Sequence, residues 1–177
     1  MAEYATPSAV DSRSVGRGVG ALIASLVRYP ELSSLDFQPE AGRVTLSFCL
    51  RGRLEHSHAA ALADSLMEVL LTYHHLLRFP LAGEGVAEFT TEFVEPLTIL
   101  RLTRDLASLS PDEVGMVIDL LRDRCGADLL MDPSDFSEDD LLDQEETIQA
   151  ALESLDKDPG RRLFAVREDG RVLVFNT

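Results

Sequence analysis

Hydrophobic residues recur along this chain with two periods, and the places where one gives way to the other mark its elements. Val44, Leu46, Phe48 and Leu50 alternate with Thr45, Ser47, Cys49 and Arg51. A period of two is that of an antiparallel strand with one face in a core and the other wetter. Leu35 and Phe37 alternate in the same way with Ser34, Asp36 and Gln38, and Pro39-Glu40-Ala41-Gly42 supplies a turn, so the two segments predict a hairpin. Over residues 57–78 the spacing changes. Leu62, Leu66, Val69, Leu70, Tyr73, Leu76 and Leu77 now recur at helical intervals. Met67 and Leu71 widen that apolar arc beyond one face, which predicts a helix packed between two layers or carrying a partner.

Sheet character returns with Ala87, Phe89, Thr91 and Phe93 on one side and Glu88, Thr90 and Glu92 on the other. Glu95-Pro96 interrupts the ladder, because proline has no N–H to donate, and residues 97–104 predict a further strand. Ser110-Pro111-Asp112-Glu113 is a helix start, with Ser110 as cap, Pro111 at the first helical position and Glu113 placed to reach back to the cap amide. The helix carries Val114, Val117, Ile118 and Leu121 and ends at Gly126. Ser137 opens another helix that runs to about Leu155. After the turn at Asp158-Pro159-Gly160, residues 163–166 and 172–175 are apolar on both faces and joined across Asp169-Gly170. Such strands belong inside a sheet or between layers. A first helix over residues 19–29 stops at Pro30, and residues 1–16, small and without period, read as a flexible tail. The expectation is a single α+β domain over 17–177: a mostly antiparallel sheet of about 5–6 strands with about four helices.

Charge narrows the function. The 31 acidic residues against 16 basic ones give −15, a surface that repels phosphate backbones and anionic headgroups. Neither a nucleic acid nor a membrane is expected as partner, and a basic protein is what the charge would steer. Residues 1–90 hold 10 acids and 7 bases, and residues 91–177 hold 21 and 9, so the two halves carry −3 and −12. No apolar run approaches the ~18 residues of a spanning helix. The start, MAEYATPSAV, lacks the apolar stretch of a signal peptide, which points to the cytoplasm. Cys49 and Cys125 are too few for a disulfide framework and read as small buried hydrophobes.

The motifs that suggest chemistry fail on geometry. Gly16-Arg17-Gly18-Val19-Gly20-Ala21 matches a loose dinucleotide pattern, but no strand precedes it to deliver the glycines to a pyrophosphate, so no cofactor is expected. His56 and His58 lie about 24 Å along a helix from His74 and His75 at 1.5 Å per residue, so one metal cannot gather both pairs. The acids between Asp132 and Asp158 place no glycine where a calcium loop bends, and no metal is expected. Ser57 stands between His56 and His58 without a nucleophile elbow, and no catalytic residue is identifiable.

A non-enzymatic protein-interaction or regulatory module acting as a homodimer is therefore the leading expectation. Its interface is expected at Met67, Leu71 and His74 of the long helix, with Arg161 and Arg162 as a cationic patch for the acidic helix of a second copy. One alternative is a small-molecule-sensing domain with an apolar pocket walled by Leu66, Tyr73, Phe89 and Phe93. The other is a carboxylate- or metal-dependent enzyme, which needs at least three acids or histidines converging in a cleft.

Overall fold

The alternation over residues 44–50 folds as an inner strand, and the rest of the sheet is built outward from it. The computed structural model describes residues 24, 26–77, 87–105, 108–132, 162–168 and 171–176. Within them lie β1 (Leu32–Gln38), β2 (Arg43–Arg51), α1 (His56–Leu76), β3 (Ala87–Val94), β4 (Leu97–Asp105), α2 (Pro111–Cys125), β5 (Leu163–Glu168) and β6 (Arg171–Asn176). The six strands form one sheet in the order β3-β4-β2-β1-β5-β6, with every neighbouring pair antiparallel. The fold is thus α+β with an antiparallel sheet. Three helical segments are described, a short one at residues 24 and 26–28 together with α1 and α2, against about four expected. The tail at 1–16, the Gly16–Ala21 motif, the helix expected after Ser137 and the Asp169-Gly170 turn lie outside the described residues.

Register explains why the two sheet faces differ. Leu35 pairs with Leu46, Leu46 with Leu102, and Leu102 with Phe89, while Leu35 also pairs with Ala165 on its other side. Paired residues point to the same face, so one row of apolar side chains runs across the sheet. Phe37, Val44, Phe48, Leu50, Leu100 and Leu163 extend it, and Leu62, Leu66 and Leu70 of α1 with Val114, Val117, Ile118 and Leu121 of α2 close over it. Each of these buried leucines contributes roughly 1.5–3 kcal/mol. The opposite face carries Asp36, Thr45, Ser47, Cys49, Arg101 and Thr103, with the Thr45 and Thr103 hydroxyls 2.9 Å apart across β2 and β4. A slip of one residue would put these hydroxyls into the core, which fixes the register.

The turns follow the sequence. Residues 39–41 form a 3-10 turn and Gly42 takes φ +61°, a conformation that side chains with a Cβ rarely adopt. The β3–β4 hairpin turns at Glu95-Pro96, whose peptide bond is cis. Two expectations need correction. β5 is an inner strand with Leu163 and Ala165 buried, but β6 is the edge of the sheet, and its Leu173 and Phe175 are exposed. Apolar character on both faces therefore did not mean enclosure for β6. Glu113 does not complete a capping box. Its backbone amide donates to Ser110 Oγ at 3.2 Å, but its carboxylate turns inward to Arg104 and His74.

Candidate functional site

The C-terminal half of α1 combines a buried ionic anchor with exposed apolar residues, and the anchor is set by sequence periodicity. His74 continues the Leu66, Leu70 row at intervals of four, so it faces inward with them and is 2% exposed. Arg104 continues the Leu100, Leu102 row of β4 at intervals of two, and is 0% exposed. Glu113, in the first turn of α2, meets both and is likewise 0% exposed. Arg104 Nε donates to Glu113 Oε1 at 2.5 Å and Nη2 to Oε2 at 3.1 Å, while His74 Nε2 lies 2.7 Å from Oε2. Arg104 Nη2 also lies 3.3 Å from His74 Nε2, so the three side chains meet at one point.

The remaining donors of Arg104 are also held. Nη1 donates to Asp105 Oδ1 at 2.5 Å and Nη2 to Ser108 Oγ at 3.0 Å. Burial pushes the Arg104 guanidinium down, but the hydrogen bond and charge of Glu113, followed by Asp105, outweigh it and hold the group above its ordinary value. Burial pushes Asp105 up, yet hydrogen bonds from Ser108 and the charge and hydrogen bond of Arg104 hold its carboxyl below the usual range. Alongside, Tyr73 Oη lies 3.0 Å from Ser110 Oγ, the cap of α2. This cluster pins α1 to β4 and α2. Its three central side chains are buried and engaged with one another, which fixes the end of α1.

Past Glu68, α1 carries no formally charged carboxylate or cationic side chain up to its end at Leu76 and the capping Leu77. Leu71, Leu76 and Leu77 are 53%, 75% and 50% exposed, and Met67 is half-buried against the core. Residues 69–77 contain no Asp, Glu, Lys or Arg, although such residues make up 27% of the chain. Of the interface residues expected from sequence, Leu71 is on the surface, Met67 is at its margin and His74 is buried. Arg162 is exposed but bidentate to Asp36, with Nε to Oδ1 at 3.0 Å and Nη2 to Oδ2 at 2.6 Å. That hydrogen bond, partly opposed by burial, holds Asp36 below its ordinary value. Arg161 lies outside the described residues.

The four expected pocket residues sit in different surroundings. Leu66 is fully buried, Tyr73 is bonded at the α2 cap, Phe89 packs against the core, and Phe93 is exposed under Arg53, whose guanidinium sits 4.3 Å from the ring centroid. Clefts lie elsewhere. One of about 340 Å³ sits between the start of α1 and the end of α2, beside Arg51, Arg53, His58 and Arg124. A second of about 400 Å³ runs over the open sheet face past Ser34, Thr45 and Phe164. A third, of about 470 Å³, lies at the strand ends between Glu31 and Arg167. Sequence reading missed Arg104 and Glu113 as a pair; the inward row of β4 was the signal that held Arg104.

Among the described residues no three His, Cys, Asp or Glu side chains converge to hold a metal ion, and no helix is long and apolar enough to cross a membrane. No family model, curated protein or solved structure matches this chain.

Proposed function

We propose that the protein is a non-catalytic interaction module that self-associates through the C-terminal half of α1. One observation carries the reading: Leu71, Leu76 and Leu77 are exposed on a helix segment that has no formal charge except its histidines. A chain of net charge −15 repels its own copies over most of its surface. Two copies meet at least electrostatic cost where charge is absent, and at greatest hydrophobic gain where leucines are in water. The Glu113 cluster supports this by holding the helix to its own core, so the apolar residues are presented without being drawn inward. A symmetric pairing of the segment with itself uses one surface on both copies.

The test is the mass in solution. Light scattering after gel filtration should give about twice 19.5 kDa for the native chain. It should give 19.5 kDa for the Leu76→Glu/Leu77→Glu double variant with unchanged circular dichroism. A native protein that elutes at the single-chain mass at all concentrations removes the proposal.

A further inference from the structure

The cleft of about 340 Å³ between the start of α1 and the end of α2 is cationic, on a chain of net charge −15. Arg51, Arg53 and Arg124 line it, and Asp128 is the one carboxylate in its lining, so three cations less one anion leave a formal +2. A cleft lined by one sign of charge concentrates its field and draws in the opposite ion. The three guanidiniums remain available. Among the described residues no ion pair holds Arg51, and Arg53 lies over the Phe93 ring, 4.3 Å from its centroid. Arg124 Nε stands 3.8 Å from Asp123 Oδ2, with both side chains exposed.

The backbone that presents Arg51 and Arg53 is fixed. Gly52 stands between them at φ +79°, and its N–H donates to Pro96 O at 2.9 Å. Thr98 Oγ1 donates to Gly52 O at 2.8 Å and accepts the Leu54 N–H at 3.0 Å. Thr98 is buried, so one threonine of β4 holds both sides of the bend that leads into α1. Arg124 comes to the same cleft from the last turn of α2. Leu50, Leu54 and Leu62 give the lining an apolar part, and Ser65 adds a hydroxyl. Burial, followed by the charge of Asp128, pushes the Cys125 thiol up, so this thiol brings no second anion to the lining.

We infer that this cleft binds a small phosphate monoester carrying an apolar group. Such an ester bears close to two negative charges at neutral pH, which matches the +2 of the lining, whereas a carboxylate bears one. Guanidinium forks pair with phosphate oxygens through parallel N–H groups. Arg51 and Arg124 are exposed on long stems, so they can turn to one anion without a preset spacing. The apolar group lies against Leu54 and Leu62. The volume is at the small end of the roughly 300–1,000 Å³ of small-molecule sites, which suits a free ester and not a polymer. The site uses the first half of α1 and self-association the second, so either can fail without the other.

The test is titration calorimetry of the full chain at pH 7.5 and low salt with phenyl phosphate, beside benzoate and phenol. Phenyl phosphate should bind with a Kd of about 0.1–1 mM, benzoate at least about fivefold more weakly, and phenol not measurably. Arg51→Gln and Arg124→Gln, with circular dichroism unchanged, should each weaken phenyl phosphate about three- to fivefold, and Asp128→Asn should tighten it about twofold. Arg101→Gln removes a cation from the opposite face of the sheet and should bind as the native chain does. If the cleft variants do not fold, the three probes on the native chain decide alone. Absence of phenyl phosphate binding up to about 10 mM overturns the inference, as does benzoate or phenol binding as tightly as the ester. A loss in Arg101→Gln as large as that in Arg51→Gln also overturns it, the ion then answering to the general field of the protein and not to the cleft.

Discussion

Replacing Glu113 with glutamine keeps the shape of the side chain and removes its charge. In the native cluster the carboxylate accepts two N–H groups from Arg104 and lies 2.7 Å from His74 Nε2. The amide can still accept one of these, but its NH₂ group then points at the donors on the other side. Arg104, 0% exposed, keeps its ion pair with Asp105, whose carboxylate is partly in water. Removing one partner of a buried ion pair costs about 3–5 kcal/mol, and the surviving Asp105 contact puts this variant at the lower end, about 3 kcal/mol. That is a large share of the 5–15 kcal/mol typical of a folded domain. With a urea m-value of roughly 2–3 kcal/mol/M for a chain of this size, the unfolding midpoint should fall by about 1–1.5 M. The measurement compares both proteins at one protein concentration, because self-association would shift the midpoints. A second variant isolates the cause. Arg104→Met with Glu113→Leu removes both charges and should recover about 2 kcal/mol or more relative to Glu113→Gln, since apolar replacements of a buried pair are often tolerated. A Glu113→Gln midpoint within about 0.2 M of the native one, or a double variant less stable than the single, refutes the reading of this cluster as an ionic anchor.

Other outcomes follow from the same structure. Ser110→Ala removes the cap of α2 and the partner of Tyr73 Oη, and should cost about 1–2 kcal/mol by urea unfolding; Tyr73→Phe should cost about 0.5–1.5 kcal/mol. Asp105 is held below the ordinary carboxylate range in the fold, so its contribution is fully present above the unfolded value, about pH 4, and is lost as pH falls through the lower folded value. Asp105→Asn should flatten the pH dependence of stability below about pH 4, and an unchanged slope would contradict the pairing. Burial and the neighbouring Asp128 raise the Cys125 thiol, so iodoacetamide at pH 8 should label Cys125 more slowly than a model thiol, as read by peptide mass spectrometry. Leu100→Ala, fully buried on the helix-covered face of β4, should cost about 2–5 kcal/mol.

The sheet was legible where one face alone is buried. The alternation over Val44–Leu50 records the difference between the helix-covered face and the Thr45–Thr103 face, and the Ser110-Pro111 start of α2 is read from local chemistry. What could not be read is what depends on long-range placement. β6 has the same composition as an inner strand, and strand order alone makes it an edge. His74 looked like a surface residue because histidine is polar, although its position in the Leu66, Leu70 row sends it inward. Glu113 satisfied a local capping pattern, but Arg104, nine residues earlier and on an inward row, outcompeted the cap for its carboxylate. Glu31 and Arg167 are separated by 136 positions and share no local pattern, so only the folded chain shows that they line one cleft.

Sedimentation equilibrium of the native chain at about 0.05 M and 0.5 M NaCl tests the central proposal most directly, since the Debye length falls from about 14 Å to about 4 Å between them. Apolar contact between two copies of net charge −15 predicts the two-chain mass at both ionic strengths, with tighter association at the higher one as mutual repulsion is screened. A single-chain mass throughout, or association that dissolves as salt is added, would contradict pairing through the leucines of α1.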